Sequence, residues 1–553
     1  MLVTARVEHR RSDRLHVVPT LVDVLLAQPA HRPAVHAEAM TTAGDVARWS
    51  GRLAAALRDR HGVTRGERVA LLLEPGPGFL HALLGVWRAG AAALVLTPLY
   101  PPNERARLLQ DADARLVIAS PTLTASAEQG AAERVVTTLA SEAGEAWSLG
   151  GAALPPAEAA AGPSSEPAAG PPSADDLALL VYTSGTTGRP KGVMLRHCHL
   201  HAQCAALRHA WGMRADDVLI HALPLHHVHG LVIALLTTLA AGGSARMLPR
   251  FDAAAVLAAC AHGTVFMGVP TMYARLVEAL DALDEPARAE AVAAIAGLRL
   301  CISGSAALPV SLGERWARYA GAYPVERFGM SELGVALSNR VDGPRVPGSV
   351  GWPLPGVHVR VVDEHGREAS EGELQVAGPT VFEGYWRRPE ERDRAFVVEG
   401  GVRWFRTGDT VRLHDDGRVQ VLGRTSVDIL KSAGYKLSAI AIEEALRAHP
   451  DVRDAAVVGL PDETYGQRVA AAVMLRPGAA LTAEALLAFA REELPPYAMP
   501  RLLRFVDDVP RNAMGKVRKP ALAEELARSE ADATAGPGDT APERRRAGSN
   551  SSR

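Results

Sequence analysis

One stretch constrains this chain more than any other: Tyr182-Thr-Ser-Gly-Thr-Thr-Gly-Arg-Pro-Lys-Gly192. The apolar run Leu177-Ala-Leu-Leu-Val181 before it predicts a buried strand, and Val193-Met-Leu195 after it predicts a second. Between them, glycines let backbone N–H groups approach an anion closely, hydroxyls add donors, and Arg189 and Lys191 add positive charge. Such a loop suits a polyphosphate. It is not the common phosphate loop G-x-x-x-x-G-K-[ST], because Pro190 precedes the lysine, Gly192 follows it, and the exit is a strand instead of a helix. The expectation is therefore a strand–loop–strand turn.

The 553 residues exceed what a single core usually holds, about 250–300, so more than one domain is expected. Hydrophobic content of 48% and charged content of 22% fit an ordinary globular enzyme. With 60 basic and 62 acidic residues the net charge is −2, which argues against nucleic acid as a partner. Cys198, Cys204, Cys260 and Cys301 show no C-x-x-C spacing, so a disulfide framework is not expected. No apolar run reaches the ~18 residues of a spanning helix, and Leu231–Ala241 reads as a buried core helix. The first 14 residues carry four arginines but no apolar centre, and Glu8 and Asp13 are acidic where transit peptides avoid acid. A cytoplasmic location is expected. Monomer and dimer stay equally open.

The pattern predicts an α/β protein, with a large N-terminal domain of helix-covered sheets and a small α+β C-terminal domain. Helical periods at Gly51–Arg58 and Phe79–Ala89 alternate with strands at Arg68–Leu73 and Ala92–Leu96, which argues for a parallel sheet. From Thr122 to Asp176 the composition turns to Ala, Gly, Pro, Ser and Glu, so a disordered insert is expected near 150–176. The boundaries expected are an N-terminal extension at 1–17, the large domain at 18–422, the small one at 423–526 and a disordered tail at 527–553. In the small domain, helices at Ala441–Ala448 and Ala483–Leu494 and strands at Ala455–Val458, Val469–Leu475 and Leu502–Val506 are expected.

Further motifs follow in order. Arg327-Phe-Gly-Met-Ser-Glu332 combines an aromatic that can stack on a base with a carboxylate that can hold Mg²⁺. Trp404-Phe-Arg-Thr-Gly-Asp409 ends in a carboxylate able to accept both hydrogen bonds of a ribose diol. Gly423-Arg424 stands at the domain break, and Pro510-Arg-Asn-Ala-Met-Gly-Lys516 closes the small domain. Together with the loop, this series resembles the adenylate-forming superfamily of acyl-CoA synthetases, luciferases and peptide-synthetase adenylation domains, from about residue 18 to 526.

The resemblance implies that a carboxylate attacks the α-phosphorus of ATP, giving an acyl-adenylate, and that the thiol of CoA then displaces AMP. It implies that Thr183, Ser184, Gly185, Thr186, Thr187, Gly188 and Lys191 cradle the β- and γ-phosphates. Ser303 and Phe328 would line the adenine site, Asp409 would bind ribose, and Arg424 would reach sugar or phosphate. Thr187 and Glu332 would lie near Mg²⁺, and Lys516 would neutralise charge at the α-phosphate. After rotation of the small domain, Lys431, Gly434, Tyr435 and Lys436 would face CoA. Two positions depart from the family pattern. Ser426 stands at a hinge position that is often acidic, and Ala433 stands where glycine is frequent.

Three histidines mark Leu223-Pro-Leu-His-His-Val-His-Gly230, without a carboxylate or cysteine at metal-ligand spacing. The cluster His197, Cys198, His199, His201 and Cys204 lies on a helix whose Leu200, Cys204, Leu207 and Trp211 share one face, which reads as core. Arg275 lies one turn past Pro270, where spacing alone allows either a solvent-facing pair with Glu278 or a place at the acyl pocket. Together, His221–Gly230, Phe266–Arg275, Ser303–Ala306 and Gly423–Asp428 look like malonyl-CoA synthetases. That resemblance implies malonate or methylmalonate as substrate, with Arg275, His227 and Ser305 on its second carboxylate and Met330 beside the pocket. A ligase for a short or medium monocarboxylate and an enzyme loading an acyl carrier protein are the alternatives.

Overall fold

The computed structural model describes residues 19–36, 40–131, 134–142, 146–155, 171–184, 190–432, 434–511 and 515–534. Two compact units divide the chain, Met1–Val421 and Leu422–Arg553.

In the large unit, the strands Arg68–Leu72, Ala92–Val95, Leu116–Ala119 and Val135–Glu142 run parallel, and Leu177–Ser184 joins them parallel to Ala92–Val95. Leu116–Ala119 is buried along its whole length, as expected for a strand covered on both faces. The expected helices form as Ala43–His61 and Pro77–Arg88. The first is longer than its periodic core because a Thr42/Asp45 capping box extends it forward and left-handed Gly62 ends it. A second, nine-stranded sheet contains Val218–His221, Val265–Gly268, Leu300–Ser303 and Val325–Met330, again parallel neighbours.

The chain turns back where the sequence placed its loop. Leu177–Ser184 pairs antiparallel with Pro190–Arg196, in a register that sets Thr183 opposite Lys191 and Ser184 opposite Pro190. The strand–loop–strand reading therefore holds. Ahead of the expected insert, Val135–Glu142 and Ala146–Leu149 extend the edge of the eight-stranded sheet, and Ala152–Ala153, inside it, adds a short last strand. Alternating Val, Thr and Leu gave those residues enough β preference once a neighbouring strand was available. Residues 156–170, like the N-terminal extension, lie outside the described residues.

The helix His197–Ala210 buries Leu200, Cys204 and Leu207, with Trp211 at its cap, so this face is core. His197 packs its ring on Trp87 at 5.3 Å. Residues His229–Leu236 form a wide i→i+5 helix continued by Thr237–Ala240, buried throughout as expected of the apolar run. The four cysteines are unpaired.

The small unit is a five-stranded sheet whose long pair, Val452–Asp462 and Gly466–Leu475, has Leu502–Phe505 alongside. The period of two divides its core. Val469, Ala471 and Val473 face the helices Ala439–Arg447 and Ala483–Ala490, while Ala470, Ala472 and Met474 face the helix Lys519–Thr534. That last helix corrects the expected boundary, because it runs beyond residue 526 and buries Leu522 and Leu526. The rest of the expected tail, from 535, lies outside the described residues.

Candidate active site

Lys191 lies near the start of the strand Pro190–Arg196. Its Nζ lies 2.7 Å from Glu391 Oε2 and 5.5 Å from the centre of the Tyr385 ring. The hydrogen bond from Lys191 keeps the Glu391 carboxyl below its ordinary range. Tyr385 reaches this place because residues 382–386 are stitched to the hairpin: Met194 N–H donates to Gly384 O at 3.1 Å and Trp386 N–H to Gly192 O at 2.8 Å. Tyr385 Oη also donates to Glu332 Oε1 at 3.0 Å. One tyrosine thus touches both the phosphate-loop lysine and the carboxylate expected at Mg²⁺. Thr183 is half-buried, and Ser184 is described for its backbone only. Gly185, Thr186, Thr187 and Gly188 lie outside the described residues.

Glu332 is buried, and its carboxylate is the kind of hard oxygen donor that Mg²⁺ takes together with substrate phosphates. No group of three or more His, Cys, Asp or Glu forms a metal cluster among the described residues.

A second cluster gathers around the strand Val325–Met330. Arg327 is only 4% exposed, and neither its Nε nor its Nη2 has a hydrogen-bond partner among the described residues. Burial pushes its pKa down to about 10, which leaves it charged at neutral pH. The guanidinium lies against the backbone of Gly304, where a Cβ would stand 2.3 Å from Arg327 Cζ, so a side chain at 304 would displace the guanidinium. Ser305 adopts a left-handed φ of +71°, a conformation uncommon for a non-glycine residue. That turn brings Ser305 Oγ to 3.1 Å from His229 Nδ1. His229 is buried, and burial together with the Arg327 charge holds its pKa well below the ordinary value, so the ring is neutral. His229 Nε2 and Ser303 Oγ are also buried without partners. The Arg327 guanidinium and the nearby His229 Nε2, both buried with polar atoms to satisfy, could hold a carboxylate. Phe328 and Met330 follow on the same strand, both half-buried.

The sequence reading expects Arg275, His227 and Ser305 at the second carboxylate. His227 stacks against His226 at 4.0 Å, and it is His229, two residues on, that bonds Ser305. Arg275 lies on the outer side of the helix Pro270–Ala282, whose Met272, Tyr273, Leu276, Val277 and Leu280 are buried. It is exposed, and no ion pair with Glu278 or any other described residue involves it. Arg327 was part of a quoted motif without a role. A charge directly after Val325-Glu326, within a strand of the central sheet, was the available signal.

Asp409 is buried, and its backbone N–H donates to Thr407 Oγ1 at 3.1 Å. In the small unit, Arg424 N–H donates to Asp428 Oδ2 at 2.9 Å. Lys431 and Lys436 stand opposite each other across a hairpin turned by Gly434 (φ +82°), and both are exposed. Like charges in that position repel, an arrangement suited to an anionic ligand. Tyr435 stacks on Tyr497 at 4.0 Å. Lys516 is exposed and follows Gly515, whose φ is +74°.

A family profile described as AMP-binding enzyme matches residues 22–386, and the AMP-binding enzyme C-terminal domain matches 441–516. The chain belongs to the AMP-binding enzyme family. It is 41% identical over 502 residues to the mitochondrial malonate–CoA ligase ACSF3 of Bos taurus, covering 84% of this chain and 82% of that protein. To the malonate–CoA ligase of Arabidopsis thaliana it is 35% identical, covering 85% and 79%. Among solved structures, ATP-bound MatB from Rhodopseudomonas palustris matches with a TM-score of 0.80 and 36% identity, covering 92% and 98%.

Proposed function

We infer that this protein is an acid–thiol ligase that joins malonate to CoA, using ATP and passing through malonyl-adenylate with release of pyrophosphate and AMP. The observation that carries the choice of acid is the buried Arg327, charged and incompletely paired beside His229 and Ser305. A monocarboxylate such as propionate would leave that guanidinium buried and unpaired, at a cost of several kcal/mol. Malonate supplies one carboxylate to pair with Arg327 and a second to react. Arg275, exposed on its helix, is the second cation in this reading, and Met330 and His227 flank the acid. The likeness to malonate–CoA ligases supports the same substrate. Methylmalonate is the second acid favoured, since a related malonyl-CoA ligase, 38% identical, holds methylmalonyl-CoA and AMP.

In the adenylation step, the Thr183–Lys191 hairpin binds the β- and γ-phosphates, Phe328 and Ser303 meet adenine, and Asp409 accepts the ribose hydroxyls. Bound Mg²⁺, held by Glu332 and Thr187, would neutralise phosphate charge. Lys516 supplies positive charge where the attacking carboxylate meets the α-phosphate, which needs positioning more than covalent help. In the second step Lys431, Gly434, Tyr435 and Lys436 face CoA. The mitochondrial names of the vertebrate relatives weigh against the cytoplasmic location expected from Glu8 and Asp13.

ATP–pyrophosphate exchange across malonate, methylmalonate, propionate and hexanoate tests the reading. Malonate should give the highest kcat/KM. Exchange as fast with propionate would remove the dicarboxylate assignment.

A further inference from the structure

A line of alternating charges runs through the small unit. Asp428 holds the backbone N–H of Arg424 at 2.9 Å, and Gly423 must be glycine there because a Cβ would meet Asp428 at 2.4 Å. Lys519 Nζ lies 2.6 Å from Asp428 and 2.9 Å from Glu443. Glu443 pairs with Arg447 at 3.3 Å, and Arg447 Nε donates to Asp454 at 2.7 Å. Arg511 closes the line. Its Nη2 pairs with the second oxygen of Asp454, while its Nη1 donates to Gly515 O at 2.8 Å.

The three positive charges thus alternate with three negative ones, from the residue after the domain break to the residue before Lys516. Burial alone would depress Arg447 and Lys519, yet the surrounding carboxylates outweigh it and raise both. Burial would raise Asp454, and Arg447 with Arg511 hold it down instead. Arg447, Asp454 and Lys519 are thus each stabilised in the charged form by their neighbours. Arg511 and Val517 form a bridge at the two ends of the segment that carries Lys516, and the chain turns at Gly515 in the left-handed region, with Lys516 exposed.

We propose that Arg511 is a positioning residue for Lys516, anchored by Asp454 and the charge line behind it and fixing the Lys516 backbone through the Gly515 carbonyl. This rests on the reading of Lys516 as the group that meets the α-phosphate. A lysine at 511 keeps the charge opposite Asp454 but has one nitrogen in place of the guanidinium's fork, so it cannot hold both partners in this geometry.

Arg511→Lys and Arg511→Gln should lower ATP–pyrophosphate exchange about 10- to 100-fold, with little change in KM for ATP or malonate. Thioester formation from preformed malonyl-adenylate and CoA should stay near the wild-type rate, and the melting temperature of Arg511→Lys should be unchanged. Exchange near the wild-type rate in Arg511→Gln would overturn the proposal. So would equal losses in both half-reactions or a lowered melting temperature in Arg511→Lys, which mark a structural role. Lys516→Ala is measured alongside. If it keeps full exchange, the reading of Lys516 is at fault and the positioning role falls with it.

Discussion

Arg327→Met should separate activity from stability in opposite directions. Arg327 is 4% exposed, and two of its guanidinium nitrogens have no hydrogen-bond partner among the described residues. Replacing a buried, poorly paired ion by an apolar side chain of similar length is neutral or stabilising, by about 1–4 kcal/mol in the favourable cases. The same substitution leaves the second carboxylate of malonate buried without a cation. Truncating one partner of such a pair costs about 2–5 kcal/mol, or roughly 30- to 5,000-fold in kcat/KM for malonate. Propionate should gain on malonate, because the apolar site no longer leaves a charge unpaired when a methyl group enters. The assay is ATP–pyrophosphate exchange with both acids, set beside thermal unfolding without ligand. A fall of less than about tenfold with malonate would refute Arg327 as the anchor. A drop in melting temperature would refute the claim that its guanidinium is incompletely paired in the free protein.

Arg275→Ala should cost less than Arg327→Met, about tenfold or under, because an exposed cation is screened by solvent; a larger loss by the same exchange assay would make Arg275 the main anchor. Glu391→Gln should release Lys191 for phosphate and lower the KM for ATP by up to about fivefold, since a half-exposed pair is worth ~1 kcal/mol or less. An unchanged or raised KM would mean that Glu391 orients Lys191 instead of competing for it. Burial pushes His81 down to about 3, so below pH 6.5 the unfolded chain binds a proton that the folded one refuses. Stability should then fall with falling pH by up to about 1.4 kcal/mol per unit from this group. His81→Leu should flatten the pH dependence of the melting temperature between pH 6.5 and 5, and an identical slope would count against the assignment.

Much of the fold was legible because its signals are local. Leu177–Val181 and Val193–Leu195 are apolar runs on either side of a glycine-rich stretch, and they became paired strands. The helical face of Leu200, Cys204 and Leu207 was a matter of period alone, and it is buried. Two elements escaped because their signal was not local. Val135–Glu142, Ala146–Leu149 and Ala152–Ala153 have residues with β preference inside an Ala/Gly/Ser-rich stretch, and an open strand edge lay beside them to pair with. The second half of the helix Lys519–Thr534 was expected to be tail, yet the helix continues past 526, and Leu522 and Leu526 in its first half cover the outer face of the small sheet.

The sequence by itself determined that two antiparallel strands flank the Gly/Thr-rich stretch and which family the chain belongs to. Those conclusions rest on residue types at fixed spacing, where the backbone chemistry is set within a few positions. Tertiary structure decided where charge is buried. Arg275 and Arg327 are alike in the sequence, but one lies on the outer side of a helix and the other on a strand inside the sheet, against Gly304 and near His229. The worth of a guanidinium depends on the water taken from around it, and that quantity exists only once the chain has folded.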